Sequence, residues 1–152
     1  NIMEGTHCFD PENPDETPPD DACPSEGANG EPLHLPVIEY PHLDNQGDAD
    51  VAGISVIGGY IYRGEALSDH QGNYIFGDWS QSFGEPAGQL LMATPAGDGE
   101  LWDVQQLMGL ESYVLGFGED ANGELYVLTT DNTGPTGTTG QVLRIVPTGD
   151  GQ

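Results

Sequence analysis

Two cysteines, four histidines and two arginines are the first residues of this 152-residue chain to weigh for chemistry. Cys8 and Cys23 stand in a Pro-rich acidic stretch, and no CxxC pair occurs. His7 beside Cys8 is a poor start to a zinc site, because two further ligands are missing. A disulfide is the better reading, set against two free thiols. Closing a loop of about 15 residues contributes roughly 3 kcal/mol in the chain-entropy model. It would pin a segment with little apolar surface and points to an oxidising, extracytoplasmic location. His7, His34, His42 and His70 have no helical or hairpin ligand spacing, so no metal site is expected from them. Asp44, Gln46, Asp48 and Asp50 resemble a calcium loop only superficially. The glycine and closing glutamate of an EF-hand are not at the required places, and weak surface cation binding is expected instead. Arg63 could meet a ligand carboxylate; ending a strand beside a neighbouring acid is the favoured reading. Arg144 alternates with Leu143 and Ile145, so it is expected to face solvent or an acid on the next strand. There is no GxSxG, no P-loop and no Rossmann fingerprint, since the glycines at 116 and 118 lack a following helix.

Charge bounds the rest. Asp plus Glu number 26 against 2 Lys plus Arg, for a formal net charge of −24, and lysine is absent. A nucleic-acid binder needs a basic face to displace phosphate counterions, and none can be built here. An anionic membrane surface would repel the chain. No apolar run approaches the roughly 18 to 20 residues of a membrane span, and there is no signal-peptide core at the N-terminus; the chain begins abruptly at Asn1-Ile2-Met3-Glu4 and reads as a mature or cut form. High charge with 36% hydrophobic residues raises the possibility of disorder. It is rejected for most of the chain, because through the second half the acids lie between β-branched and aromatic runs. Self-repulsion of such a surface opposes compaction, and salt screens it. The expectation is a protein that works in concentrated salt; an acidic secreted protein from an ordinary environment is the alternative.

Three segments position these residues. Residues 1–35, rich in Pro, Asp, Glu and Gly, read as a long loop carrying Cys8 and Cys23. Residues 36–147 alternate short runs of β-formers with Gly, Asp and Asn, and 148–152 form a tail. The expected strands are Pro36–Tyr40, Ser55–Tyr62, Asn73–Gly77, Gln89–Ala93, Leu101–Gln106, Tyr113–Phe117, Glu124–Thr129 and Gln141–Val146. The run Leu101–Leu110 could instead be a short helix. Asp120-Ala121-Asn122-Gly123 is a strong hairpin turn. Short strands with Gly-rich turns indicate an all-β sandwich, barrel or propeller, and periodicity alone cannot choose. Trp79, Trp102, Tyr60, Tyr62, Tyr74, Tyr113 and Tyr126 lie at strand spacing and read as core rather than a sugar-stacking platform.

Several segments, in order, carry a family resemblance. They are Asn1-Ile2-Met3-Glu4-Gly5 with His7-Cys8-Phe9, and Pro36-Val37-Ile38-Glu39-Tyr40 with His42. Ser55-Val56-Ile57-Gly58-Gly59-Tyr60-Ile61-Tyr62-Arg63-Gly64 and Gly72-Asn73-Tyr74-Ile75-Phe76-Gly77-Asp78-Trp79 follow. Then come Gly116-Phe117-Gly118-Glu119-Asp120-Ala121-Asn122-Gly123-Glu124-Leu125-Tyr126-Val127-Leu128 and the stretch Gly134-Pro135-Thr136-Gly137-Thr138-Thr139-Gly140. From Leu35 to Pro147 the chain resembles the C-terminal part of the glucose/sorbosone dehydrogenase family, in a branch seen in halophilic archaea and some environmental bacteria. These are soluble sugar dehydrogenases dependent on pyrroloquinoline quinone (PQQ), with hedgehog-interacting-protein-like relatives.

The resemblance implies a six-bladed β-propeller, of which this chain would be about the last two four-stranded antiparallel blades behind a disulfide-pinned N-terminal loop. Isolated blades would leave apolar faces exposed. The partners expected are therefore the remaining blades or another copy, with a sugar as substrate. The implied activity is hydride abstraction from a sugar to PQQ, with a histidine base and calcium polarising the quinone oxygens. The base and principal calcium ligands lie in the family's earlier blades, so no catalytic residue and no metal ligand is assigned here. Later blades supply cofactor-pocket residues, including a lysine and arginines in the best-known bacterial members. The corresponding regions read Asp78-Trp79-Ser80 and Glu111-Ser112-Tyr113, with no cation at either. Ser80, Ser112 and Tyr113 would then donate hydrogen bonds and Trp79 would stack, without the charge-assisted pairing a tri-acid quinone prefers. A propeller that kept the fold and lost the cofactor, acting as a binding or structural module, is the alternative.

Overall fold

The computed structural model describes residues 2–14, 16–134 and 136–148. The tail expected at 148–152 lies outside them beyond Thr148, as does Pro135 of the Gly134–Gly140 segment. The described residues form three open antiparallel sheets of two, four and three strands, with no closed barrel. The chain divides into two compact units, residues 2–39 with 99–101, and the remainder.

In the first unit β1 (Ile2–Glu4) and β2 (His7–Phe9) pair around Gly5, whose φ of 61° suits a tight turn. This hairpin stands where the sequence predicts loop, because three-residue strands leave almost no periodic signal. Cys8 and Cys23 form the expected disulfide, with Cα atoms 5.5 Å apart. Glu39 receives the Thr6 N–H, the Thr6 hydroxyl at 3.1 Å and His7 Nε2 at 2.9 Å. Burial pushes the Glu39 carboxyl up, but the Thr6 donors and His7 outweigh it and hold it below its ordinary value.

In the second unit β3 (Val56–Ile61), β4 (Tyr74–Asp78), β5 (Gln89–Thr94) and β6 (Asp103–Gly109) form one sheet in sequence order. The central strands read as continuous apolar runs, Ile75-Phe76 and Leu90-Leu91-Met92-Ala93, because they are covered on both faces. The edge strands β3 and β6 keep exposed positions between partly buried ones. Four antiparallel strands agree in number with one of the two four-stranded groups expected. The helical alternative for 101–110 is not realised, since β6 pairs along its length with β5.

The third sheet joins β7 (Tyr113–Glu119), β8 (Leu125–Thr130) and β9 (Gln141–Arg144). Asp120 closes the predicted β7–β8 turn: its Oδ1 accepts the Asn122 N–H at 2.8 Å and the Glu124 N–H at 3.1 Å, while Gly123 takes a φ of 79°. β9 is shorter than predicted, as Ile145 and Val146 follow it outside the strand. Pro36–Tyr40, predicted as a strand, joins no sheet; Pro36 has no N–H to give a ladder. Tyr62, Ile75, Leu90, Met92, Val114, Leu125, Val127 and Ile145 make one core cluster between the second and third sheets. Tyr62 and Tyr113 belong to the interior as expected, whereas Tyr60 is exposed.

Candidate functional site

A buried carboxylate organises the region beside an apolar cleft. Tyr62 follows β3, and Glu124 precedes β8. The Tyr62 hydroxyl donates to Glu124 Oε2 at 2.9 Å, while the Glu65 and Ala66 N–H groups each donate to Oε1 at 3.0 Å. The Leu67 N–H donates in turn to the Tyr62 hydroxyl at 2.9 Å, and Arg144 Nη2 lies 3.5 Å from Glu124 Oε1. Burial raises the Glu124 pKa. The Ala66 N–H, the Tyr62 hydroxyl, the Glu65 N–H and Arg144 outweigh it, leaving the carboxyl below its ordinary range. Burial, and then the Glu124 charge against the opposing Leu67 N–H, pushes the Tyr62 phenol up. The loop 63–67 is thereby fixed against the β7–β8 turn.

That loop forms one wall of an apolar cleft of about 470 Å³, lined by Leu67, Leu90, Leu107, Val127, Leu143 and Ile145 among others. Its volume lies in the range of small-molecule sites. β9 borders the cleft and pairs only with β8. The Ile145 N–H donates to the Leu125 carbonyl at 2.9 Å. Alternation in an antiparallel ladder then turns the N–H and C=O of Val142 and Arg144 away from β8. Among the described residues the cleft therefore meets a free sheet edge.

Of the four residues predicted for a cofactor pocket, Trp79 and Ser80 follow β4 and Ser112 and Tyr113 stand at the start of β7, and two of them touch. The Trp79 and Tyr113 rings stack at 4.6 Å, 18° from parallel. Tyr113 is buried. Ser80 is fully enclosed; its hydroxyl donates to the Glu85 carbonyl at 3.0 Å and accepts the Ser82 and Ala87 N–H groups at 3.1 Å each. Ser112 donates to Asp131 Oδ1 at 2.7 Å. Ser80 is thus engaged within its own turn, and Ser112 across the β7–β8 pair. Among the described residues no group of three or more His, Cys, Asp and Glu side chains could hold a metal ion. The Asp44–Asp50 stretch is organised instead by the Gln46 amide, which donates to the Ala49 carbonyl at 3.1 Å. Arg63 pairs with Glu119 at 3.3 Å, and Arg144 with the acid preceding the neighbouring strand.

Two carboxylates were not singled out by sequence reasoning. Glu124 is one. Asp78 is the other: fully buried, it accepts the Tyr40 hydroxyl at 2.9 Å, the Ile54 and Ser55 N–H groups at 3.0 Å each and the Ser80 N–H at 3.2 Å. Burial, and the Asp78 charge beside it, push the Tyr40 phenol above its ordinary range. The available signal was an acid directly ending an apolar run, Tyr74-Ile75-Phe76-Gly77-Asp78.

No protein-family model matches the chain. Part of it is similar to a curated mammalian protein. Over 100 residues the chain is 30% identical to Hedgehog-interacting protein of Mus musculus, covering 60% of this chain and 13% of that protein. The chain thus corresponds to a small fraction of the relative's length. No helix among the described residues is long and apolar enough to cross a membrane, and the disulfide is consistent with an extracytoplasmic location.

Proposed function

We propose that this chain is the C-terminal part of a secreted β-propeller protein related to the quinoprotein sugar dehydrogenases, and that it works as a non-catalytic binding or structural module. The observation that carries the reading is the unequal strand count. One sheet has four strands in meander order; the next has three and ends at the free edge of β9 beside an apolar cleft. A fourth strand from the remaining blades, or from another copy, would complete the second sheet and cover the cleft. The similarity to Hedgehog-interacting protein supports a binding role over an enzymatic one in name only, and it is that protein's property. Salt adaptation of this module is supported by the net charge of −24.

The second reading is oxidation of a sugar hydroxyl with PQQ and calcium, supported by the ordered segments from Leu35 to Pro147. As placed, the four candidate residues do not fit the quinone: Ser80 is enclosed, Ser112 is engaged by Asp131, and Tyr113 is buried against Trp79.

Amide exchange of the longer reading frame, compared with this chain alone, tests the first reading. Protection of the Val142 and Arg144 amides in the longer protein is expected; equal, fast exchange in both would remove the missing strand. An absorbance titration with PQQ and calcium at high salt separates the two readings. A shifted, saturable cofactor band would establish the second and sink the first.

A further inference from the structure

We propose that a polar pocket between Arg63 and Arg144 binds a small hydroxylated carboxylate of the sugar-acid class. The inference uses only the second and third sheets and does not depend on the propeller reading. Arg63 and Arg144 are the only Lys or Arg residues of the chain. They lie 81 positions apart and follow or end strands of different sheets, β3 and β9. Both nevertheless line one pocket of about 400 Å³, together with Glu65, Gln71, Asn122 and Glu124. Every lining residue is polar or charged, so the pocket suits a ligand rich in hydrogen-bonding groups rather than an apolar one.

The arginines are held but not saturated. Among the described residues Arg63 makes one ion pair, Nη1 to Glu119 Oε1 at 3.3 Å, and Arg144 one, Nη2 to Glu124 Oε1 at 3.5 Å, while the Arg144 charge also acts on Asp120. Both exceed the roughly 2.7 to 2.9 Å of a strong charge-assisted bond. A guanidinium carries about five N–H donors, so most of each remains available. The side chains are 64% and 48% exposed, which lets a solute reach them. Glu124 Oε1, by contrast, already takes the Glu65 and Ala66 N–H groups, so this oxygen is committed to holding the loop. Gln71 is fixed by its Nε2 donating to the Gly64 carbonyl at 2.7 Å.

The acids in the pocket decide the ligand class. A bare carboxylate or a polyanion gains from the guanidinium groups but is opposed by Glu65 and by a chain of −24. Hydroxyls on the same ligand turn part of that opposition into binding, because they donate to Glu65 and exchange hydrogen bonds with the Asn122 amide. A single sugar ring bearing one carboxylate satisfies both arms.

Calorimetry of this chain in about 1 M NaCl tests the proposal, since salt of that strength shortens the reach of the remaining surface charge to roughly 3 Å. The probes are D-glucuronate, D-glucose, which lacks the carboxylate, and acetate, which lacks the hydroxyls. Glucuronate is expected to bind saturably, with glucose and acetate each weaker by about tenfold or more. Arg63→Gln, at an exposed side chain, is expected to weaken glucuronate by a similar factor while circular dichroism stays unchanged. Arg144→Gln provides the second arm. No saturable glucuronate binding, equal binding of glucose, or wild-type affinity in both folded variants would overturn the proposal.

Discussion

The Tyr62 hydroxyl donates to the Glu124 carboxylate at 2.9 Å, joining the end of β3 to the turn before β8. Neither residue is exposed: Tyr62 retains 1% of its accessible surface and Glu124 6%. The same hydroxyl accepts the Leu67 N–H, so one phenol bridges a carboxylate and a loop. Apolar packing alone would bring the two sheets together, since Val114 and Val127 share one core cluster with Ile75 and Leu90. The polar bridge adds direction, because donors and acceptors must align as well as touch.

Tyr62→Phe is therefore expected to leave a buried carboxylate oxygen without its donor and the Leu67 N–H without its acceptor. The midpoint of thermal unfolding should fall by several degrees. The Leu67 amide should exchange faster than in the wild type, while amides of β4 keep their order of protection. An unchanged midpoint with unchanged Leu67 exchange would show that packing, not the bridge, fixes the loop.

Glu124 also predicts how stability depends on pH. Its folded pKa lies below the ordinary 4.5, so the unfolded chain binds the proton more readily. The stabilisation is present above about pH 4.5 and is lost as pH falls through the lower, folded value. Glu39 and Asp120 shift in the same direction and act in the same acid window. Between pH 6 and about pH 3 the unfolding midpoint of the wild type should therefore fall relative to that of Glu124→Gln, a comparison from which the relief of surface repulsion common to both cancels. Tyr40 works at the other end. Its folded pKa lies above the ordinary 10.0, so its contribution is lost as pH rises beyond that value. Tyr40→Phe should reduce the alkaline loss without altering the acid one.

Gly59 tests the bulge in β3, where the register with β4 shifts between Ile57 and Tyr60. A Cβ at Gly59 would overlap the Ile75 carbonyl oxygen and crowd the Phe76 Cα, both backbone atoms that cannot rotate away. Gly59→Ala should destabilise by about 1 to 3 kcal/mol, read from the urea midpoint at constant slope. Gly116 sits at another register shift, in β7, and has open space where a Cβ would go. Gly116→Ala should be near neutral or slightly stabilising. Equal loss in the two variants would mean that the bulges, rather than the clash, set the cost.

The strands were legible where burial leaves a periodic or continuous apolar signature. Leu90-Leu91-Met92-Ala93 and Leu125-Tyr126-Val127-Leu128 declare themselves. The Asp120–Gly123 turn was legible because its chemistry is local: an Asp side chain capping two N–H groups, then a glycine at positive φ. The β1–β2 hairpin was not, since three residues a side carry too few positions for a pattern. The roles of Asp78 and Glu124 were not legible either. Apart from the Ser80 N–H two positions from Asp78, their donors lie 23 to 62 positions away, which no local spacing encodes. The cofactor residues inferred by resemblance illustrate the converse. Trp79 and Tyr113 do meet, but Ser80 and Ser112 are recruited by Glu85 and Asp131, partners a motif does not specify.

Salt supplies the remaining prediction, because it acts on the whole charge rather than on any one contact. Twenty-six acids face two arginines, and most of the acids are exposed. At about 0.1 M ionic strength the Debye length is roughly 10 Å, so neighbouring surface carboxylates still repel; near 1 M it is roughly 3 Å and they do not. The two arginine pairs are weakened by the same screening, but two contacts at 3.3 and 3.5 Å are few beside the repulsion relieved. The unfolding midpoint should therefore rise from 0.1 to 1 M NaCl and then level off, with KCl behaving alike. Sodium sulfate should go on raising it past that point, since exclusion of sulfate strengthens apolar burial independently of screening. A midpoint that is flat or falls with NaCl would mean that the acids do not oppose folding, and would remove the physical ground for salt adaptation.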